Sequence, residues 1–310
     1  MAIVGPTAVG KSQLAIRLAQ TFNGEIVSAD SRQVYRHIDI GTAKPSQEEL
    51  SLVPHHLINI VNPDEDFSLA QYQELAYRAI KNIQRRNKLA LLVGGGGLYI
   101  WSVLEGWGIP QVPPDLEFRH SLEEKAARVG KDELYQELKE VDPVAAQKID
   151  QRNVRRTIRA LEVYRGAETP LSQLQHKKAP PFTTLIIGLT TDREELYRRI
   201  DLRVDEMIKQ GLVAEVEGLV NMRYDFNSPA LSGIGYKQIG MFLRGELTLA
   251  AAIQEIKFET HRFVRHQYNW FRLKDDRIEW FAVLNESESE ITTRLIEFMR
   301  EGIEHRFIHQ

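Results

Sequence analysis

Gly5-Pro6-Thr7-Ala8-Val9-Gly10-Lys11-Ser12 fits the phosphate-loop pattern G-x-x-x-x-G-K-[ST] at every fixed position. At ordinary residue frequencies a chance match in a chain of 310 residues is roughly a one-in-a-hundred event. The flanks agree with it. Apolar residues 2–4 read as a strand, and Leu14, Leu18 and Phe22 recur at i, i+4 and i+8, as on one face of a helix. Glycines let backbone N–H groups curl around phosphate oxygens, and a helix N-terminus adds favourable partial charge. Lys11 supplies a mobile cation and Ser12 a hydroxyl suited to Mg²⁺. The competing reading is a glycine-rich turn of structural use alone. Residues 1–4 make a strand shorter than the usual length of about 5–6, so the natural start is expected upstream of Met1.

Working outward, residues 25–29, 89–93, 184–189 and 278–283 are further apolar runs, continuous rather than alternating, as buried parallel strands are. Helical patterns lie between them at 68–86, 194–209, 212–223 and 248–272. Alternation of this kind predicts an α/β core with a mainly parallel sheet. The stretch 106–181 breaks it, opening with Gly108-Ile109-Pro110 and Pro113-Pro114 and closing with Pro180-Pro181. Only helical patterns occur inside, so the chain divides into a first core part (1–107), an all-helical insertion (108–181) and a second core part with C-terminal helices (182–310).

Net charge is −3, which by itself argues against a nucleic-acid partner. The distribution argues otherwise. Residues 114–150 hold six basic against ten acidic side chains, a net of −4, and residues 151–178 hold seven against two, a net of +5. Arg152, Arg155, Arg156 and Arg159 recur at i, i+3, i+4 and i+7, a guanidinium stripe on one helix face, either solvated or facing a phosphate backbone. The absence of cysteine excludes disulfides, thiolate nucleophiles and Cys-containing zinc sites. No apolar run reaches the roughly 20 residues of a membrane span and no secretory signal is readable, so a cytoplasmic protein is expected.

A phosphate loop alone suggests an ATPase, GTPase or kinase, which need a carboxylate for Mg²⁺ at a strand end. The run at 89–93 ends in Gly94-Gly95-Gly96-Gly97 instead, and Asn87-Lys88 is not followed as a guanine-reading N-K-x-D requires. Asp30, after residues 26–29, is the good candidate, and with Gln33 three residues on it also fits a helix capping box. Lys44, in Gly41-Thr42-Ala43-Lys44-Pro45, either meets phosphate or is solvated. The histidines form no convincing metal site: His55 and His56 are adjacent, and the His305/His309 pair has no acid between.

Taken together, the phosphate loop, Asp30-Ser31-Arg32-Gln33-Val34-Tyr35, Gly41-Thr42-Ala43-Lys44-Pro45 and Val93-Gly94-Gly95 before Leu98-Tyr99 resemble tRNA dimethylallyltransferases. Arg159-Ala160-Leu161-Glu162-Val163, Gly235-Tyr236 and Gln267-x-x-Trp270-Phe271-Arg272 extend the resemblance in order along nearly the whole chain. It implies a P-loop NTPase-like fold and transfer of a dimethylallyl group from dimethylallyl diphosphate to N6 of adenine-37 beside the anticodon, in tRNAs reading codons that begin with U. Under it, residues 5–12 and Mg²⁺ near Ser12 hold the diphosphate without hydrolysis. Asp30 takes the proton from the amine, and Arg193 matches a diphosphate-binding arginine. RNA contacts are implied at Asp30, Ser31, Arg32 and Gln33, at Arg119, and at Gln151, Arg152, Asn153, Val154 and Arg155. Further ones are implied at Ser232, Gly233, Ile234, Gly235, Tyr236 and Lys237, and at Arg265, His266, Gln267, Tyr268, Asn269, Trp270, Phe271 and Arg272. The last run interleaves bases with aromatics, as a stacking surface or a core-packed helix would.

Gly96 departs from the pattern, which usually has Thr or Ser there with a hydroxyl that touches RNA. A monomer acting on the tRNA anticodon stem-loop is expected. The alternatives are an adenylate isopentenyltransferase acting on free AMP or ATP, a P-loop small-molecule kinase, and a non-catalytic RNA-binding P-loop protein. A mononucleotide acceptor has no need of the basic insertion.

Overall fold

In the computed structural model, which describes residues 1–283 and 287–308, six short strands build one sheet. They are β1 (Ala2–Val4), β2 (Gly24–Ser28), β3 (His55–His56), β4 (Leu89–Gly94), β5 (Ile186–Thr190) and β6 (Glu279–Ala282). Their order is β3-β2-β4-β1-β5-β6 and every pair is parallel. β1 is therefore central, with Val4 opposite Gly94 on one side and Gly188 on the other. Burial on both faces explains why β1 and β2 carry no alternation, since all their residues are buried. β3, two residues long, is too short to leave a periodic signal and was not expected.

The helices before the insertion are α1 (Lys11–Thr21), α2 (Gln47–Leu52), α3 (Leu69–Arg85) and α4 (Gly97–Leu104). Then come α5 (Leu116–Val129), α6 (Lys131–Val141), α7 (Pro143–Lys148), α8 (Val154–Ala167) and α9 (Leu171–Leu174). The chain closes with α10 (Arg193–Lys209), α11 (Leu212–Asn221), α12 (Tyr236–Leu243), α13 (Leu249–Trp270) and α14 (Ser287–Ile308). Local chemistry sets several starts. Ser68 and Gln71 form a capping box for α3, and Asp142 caps α7, whose first residue is Pro143.

Two compact units result: Met1–Ile100 with Phe182–Gln310, and Trp101–Pro181. The second has its own core of Leu122, Leu134, Leu138, Ala146, Ile158, Ala160 and Leu161. Among the described residues no helix is long and apolar enough to cross a membrane.

Candidate active site

The loop between β1 and α1 is shaped by its neighbours. Gly5 lies at φ 140°, and a Cβ there would sit 2.4 Å from the Leu189 carbonyl oxygen. Gly10 caps α1 at φ 106° with no side chain over the helix end and no acid in the first turn, so the leading amides face outward uncapped. Lys11 Nζ donates to the Pro6 carbonyl at 2.6 Å. Burial, then the Arg203 charge, pushes its ammonium down to about 7, against the opposing pull of Asp30. Ser12 is exposed at the helix start. Val9 is buried and offers only its main chain.

Asp30 follows β2 at the same carboxyl edge, where open α/β sheets bind ligands. Its Oδ1 accepts the Arg32 amide at 2.8 Å. Residues 31–34 are a turn and not a helix, so the capping-box reading falls. Gln33 instead accepts from Ser28 Oγ at 2.9 Å and donates to the Thr42 and Ala43 carbonyls, both at 3.3 Å. Arg32 Nη1 donates to the Pro229 carbonyl at 2.6 Å and to Ser232 Oγ at 3.2 Å, tying this turn to residues 229–232. Lys44 turns out neither solvated nor open to phosphate. Its buried Nζ donates to Tyr35 O, Asp39 Oδ1 and Asn59 Oδ1.

Glu215, which the sequence did not single out, organises the next loop. Its carboxylate accepts the amides of Asp39 and Ile40, each at 2.9 Å, and the Tyr236 hydroxyl at 2.5 Å. Tyr236 is 1% exposed, and burial followed by the Glu215 charge raises its phenol far above the usual range. Tyr236, Gly233 and Gly235 are buried, which leaves Ser232, Ile234 and Lys237 as the accessible members of that stretch.

Close approach of the Ala29 backbone or of α13 side chains accounts for all four glycines at the end of β4. A Cβ on Gly94 or Gly96 would lie 2.3 or 2.8 Å from Ala29 O, one on Gly95 would lie 2.1 Å from Gln267 Nε2, and one on Gly97 would lie 2.2 Å from the Trp270 ring. Gly96 N donates to Ala29 O at 3.3 Å, so the departure from Thr or Ser suits the packing of this chain. Tyr72 and Tyr99 stack beside this turn with ring centroids 3.7 Å apart, and Tyr72 donates to Ser28 O at 3.1 Å.

Arg193 stands apart from the phosphate loop in this structure. It is exposed in the first turn of α10, stacked over Tyr197 at 5.2 Å, and makes no bond to the phosphate loop. Arg203, nearly three turns farther along, reaches Thr7 Oγ1 at 3.3 Å and interacts electrostatically with Asp30 and Lys11. Its lowered pKa reflects burial first. The signal was in the sequence: Arg203 lies seven residues after buried Leu196, on that side of the helix. The 265–272 stretch also divides. Gln267 and Phe271 are buried at 4% and 1% exposure, so neither presents a free side chain to RNA, whereas Arg265, His266, Asn269, Trp270 and Arg272 are exposed and Tyr268 is half-buried against Thr190.

Within the insertion, the arginine stripe is shorter than expected. Asn153 caps α8 by accepting the Arg156 amide, so Gln151 and Arg152 precede the helix, and Arg152 pairs with Asp150 at 2.7 Å. Arg159 and Arg119 both bind buried Glu162, Arg119 through Nε at 2.8 Å and Nη2 at 2.9 Å. Burial opposes ionisation of Glu162, yet these guanidiniums and the Asp115 amide hold its carboxyl below the usual range. Arg155 and Arg156 remain exposed.

His56 binds Glu25 and His55 binds Val53 O, so the adjacent histidines diverge, and the His305/His309 pair lies outside the described side chains. No cluster of three His, Cys, Asp or Glu suited to a metal occurs among the described residues. An ion held by the Ser12 hydroxyl and phosphate oxygens has no need of one.

A phosphate loop, two cations and an aspartate along one parallel sheet edge define a P-loop enzyme of group transfer. The chain belongs to the IPP transferase family, whose pattern matches residues 33–274. It is similar to the tRNA dimethylallyltransferase of Dehalococcoides mccartyi, 47% identical over 302 residues covering 97% of this chain and 93% of that protein. It is 52% identical to that of Chloroflexus aggregans over 92% of this chain and 98% of the relative. Among solved structures, the full-length tRNA isopentenylpyrophosphate transferase of Bacillus halodurans is 39% identical with a TM-score of 0.72, covering 98% of both chains. A eukaryotic dimethylallyltransferase acting on tRNA is 28% identical with a TM-score of 0.81, covering 98% of this chain and 79% of that one.

Proposed function

We propose that this chain is a tRNA dimethylallyltransferase that moves the dimethylallyl group of dimethylallyl diphosphate to N6 of adenine-37 in tRNAs reading UNN codons. The observation that carries this is the uncapped start of α1 with Lys11 and Arg203 grouped near Asp30. Its relatives bear the name of this activity, and the free-AMP and kinase readings have no such support. With tRNA as acceptor, the cytoplasm is where the reaction belongs.

In the step itself, the carbon–oxygen bond of the donor breaks and its electron pair leaves with diphosphate. The loop amides, Lys11 and Arg203 face the charge that develops there. Ser12 would hold Mg²⁺ against the diphosphate, and that ion supplies further charge neutralisation. The adenine amine is a weak nucleophile because its lone pair is delocalised, so it must lose a proton as the new C–N bond forms. Asp30 Oδ2, which takes no hydrogen bond among the described residues, is the acceptor for that proton. A base stacked in an anticodon loop has to be flipped out to reach it. Exposed Arg265, His266, Trp270 and Arg272 offer stacking and phosphate contacts for RNA, and Arg155 and Arg156 offer phosphate contacts.

The test is incubation with labelled dimethylallyl diphosphate and Mg²⁺ plus unmodified tRNA, AMP or ATP. Label entering tRNA is the expected result. Label entering AMP alone would overturn the reading.

A further inference from the structure

Gln267 is buried in α13, and both ends of its amide are engaged across the sheet edge. Oε1 accepts the Thr7 amide of the phosphate loop at 2.8 Å, and Nε2 donates to the Gly95 carbonyl at 3.0 Å. The path continues to the aspartate: Gly96 N donates to Ala29 O at 3.3 Å, and Ala29 is followed by Asp30. Glycine at 95 is what admits the amide, since a Cβ there would overlap Nε2 at 2.1 Å. One helical turn on, Trp270 packs on Gly97, so α13 holds the glycine turn at two points. The phosphate loop is thus joined by one primary amide to the glycine turn, and the next residue of that turn bonds the strand end that carries Asp30.

We infer that Gln267 is a positioning residue that sets the distance between the leaving diphosphate and Asp30, and that it does so without touching RNA. This rests on the prenyltransferase reading. A carboxamide suits the task because it accepts and donates at once, with its direction fixed by the fixed polarity of the two backbone groups it joins. Group transfer is sensitive to such spacing: a misplacement of about 1 Å can cost about 10²-fold in rate.

The experiment is single-turnover transfer from labelled dimethylallyl diphosphate to tRNA at saturation of both, together with tRNA affinity by filter binding, for Gln267→Met. Methionine keeps the volume and loses both hydrogen bonds. The expected result is a rate lower by about 10–100-fold with tRNA affinity within about twofold of wild type. Weakened tRNA binding with an unchanged saturated rate would make Gln267 an RNA contact and overturn the inference, as would an unchanged rate with unchanged binding. Should Gln267→Met fail to fold, Gly95→Ala carries the same test, because it retains the amide and displaces Nε2. A saturated rate equal to wild type in Gly95→Ala overturns the inference too. Wild-type protein that transfers no label to tRNA fails at the earlier step and sinks the prenyltransferase reading instead.

Discussion

The phosphate loop after β1 presents main-chain amides and one lysine, whereas the insertion presents arginine side chains. In the loop, among the described residues, the start of α1 has no side-chain cap, and Lys11 is held only by a carbonyl of the loop itself, at Pro6. In the insertion most of the charge is already engaged. Arg119 and Arg159 neutralise Glu162, Arg152 pairs with Asp150, and Arg155 and Arg156 are left exposed. A count of basic residues therefore overstates an RNA surface, while a short glycine-rich motif understates a phosphate site, since its donors are invisible in composition.

The largest expected effect is at the base. Asp30→Asn should keep the acceptor for the Arg32 amide and lose about 10²–10⁴ in transfer rate, with donor affinity preserved. Near-normal turnover in a single-turnover assay would reduce Asp30 to a turn former. Next comes Glu162→Gln, which leaves two arginines facing a neutral amide. Unfolding in urea should show a loss on the order of 3 kcal/mol, tempered because Arg119 and Arg159 are 33% and 35% exposed. The carboxyl of Glu162 is held below its ordinary value, so its contribution is complete at neutral pH and disappears as pH falls through the folded-state value.

A smaller effect separates the two regions by pH. Lys11 is pushed down to about 7 in the free protein and is protonated when a diphosphate binds, so binding takes up a proton above that pH. Donor affinity should fall by up to about tenfold per pH unit there, and calorimetry in two buffers of different ionisation enthalpy should register the proton. Affinity for tRNA should change less than donor affinity over the same range. The smallest effects belong to Arg155→Ala and Arg156→Ala, each lowering the salt slope of tRNA binding by about 1, with Arg152→Ala doing less because Asp150 already holds it. Equal effects from all three in a salt titration would erase the contrast.

How much of this was legible depended on how local each feature is. Residues 5–12 and the apolar runs declared the sheet and the phosphate site, because a phosphate loop is made by neighbours in sequence. The insertion's helices were equally open to reading. Roles fixed by distant partners were not. Spacing from Leu196 puts Arg203 on the inner side of α10, but only the packing of that helix brings it to Thr7. Gln267 and Trp270 share a helix face, but nothing local says that one is buried on backbone and the other half-open. Lys44 reads in sequence as either a phosphate contact or a solvated side chain, and three acceptors from the fold hold it instead.

Strand order carries a last consequence, for the history of each molecule as it is made. β1 precedes the other described strands in the chain, yet it sits between β4 and β5, and Thr7 is pinned by a residue 260 positions later. The phosphate loop therefore cannot take its final shape on a nascent chain until α13 has emerged. Pairing over such separations is slow to nucleate. Donor binding should thus be weaker in partial chains that end before α13.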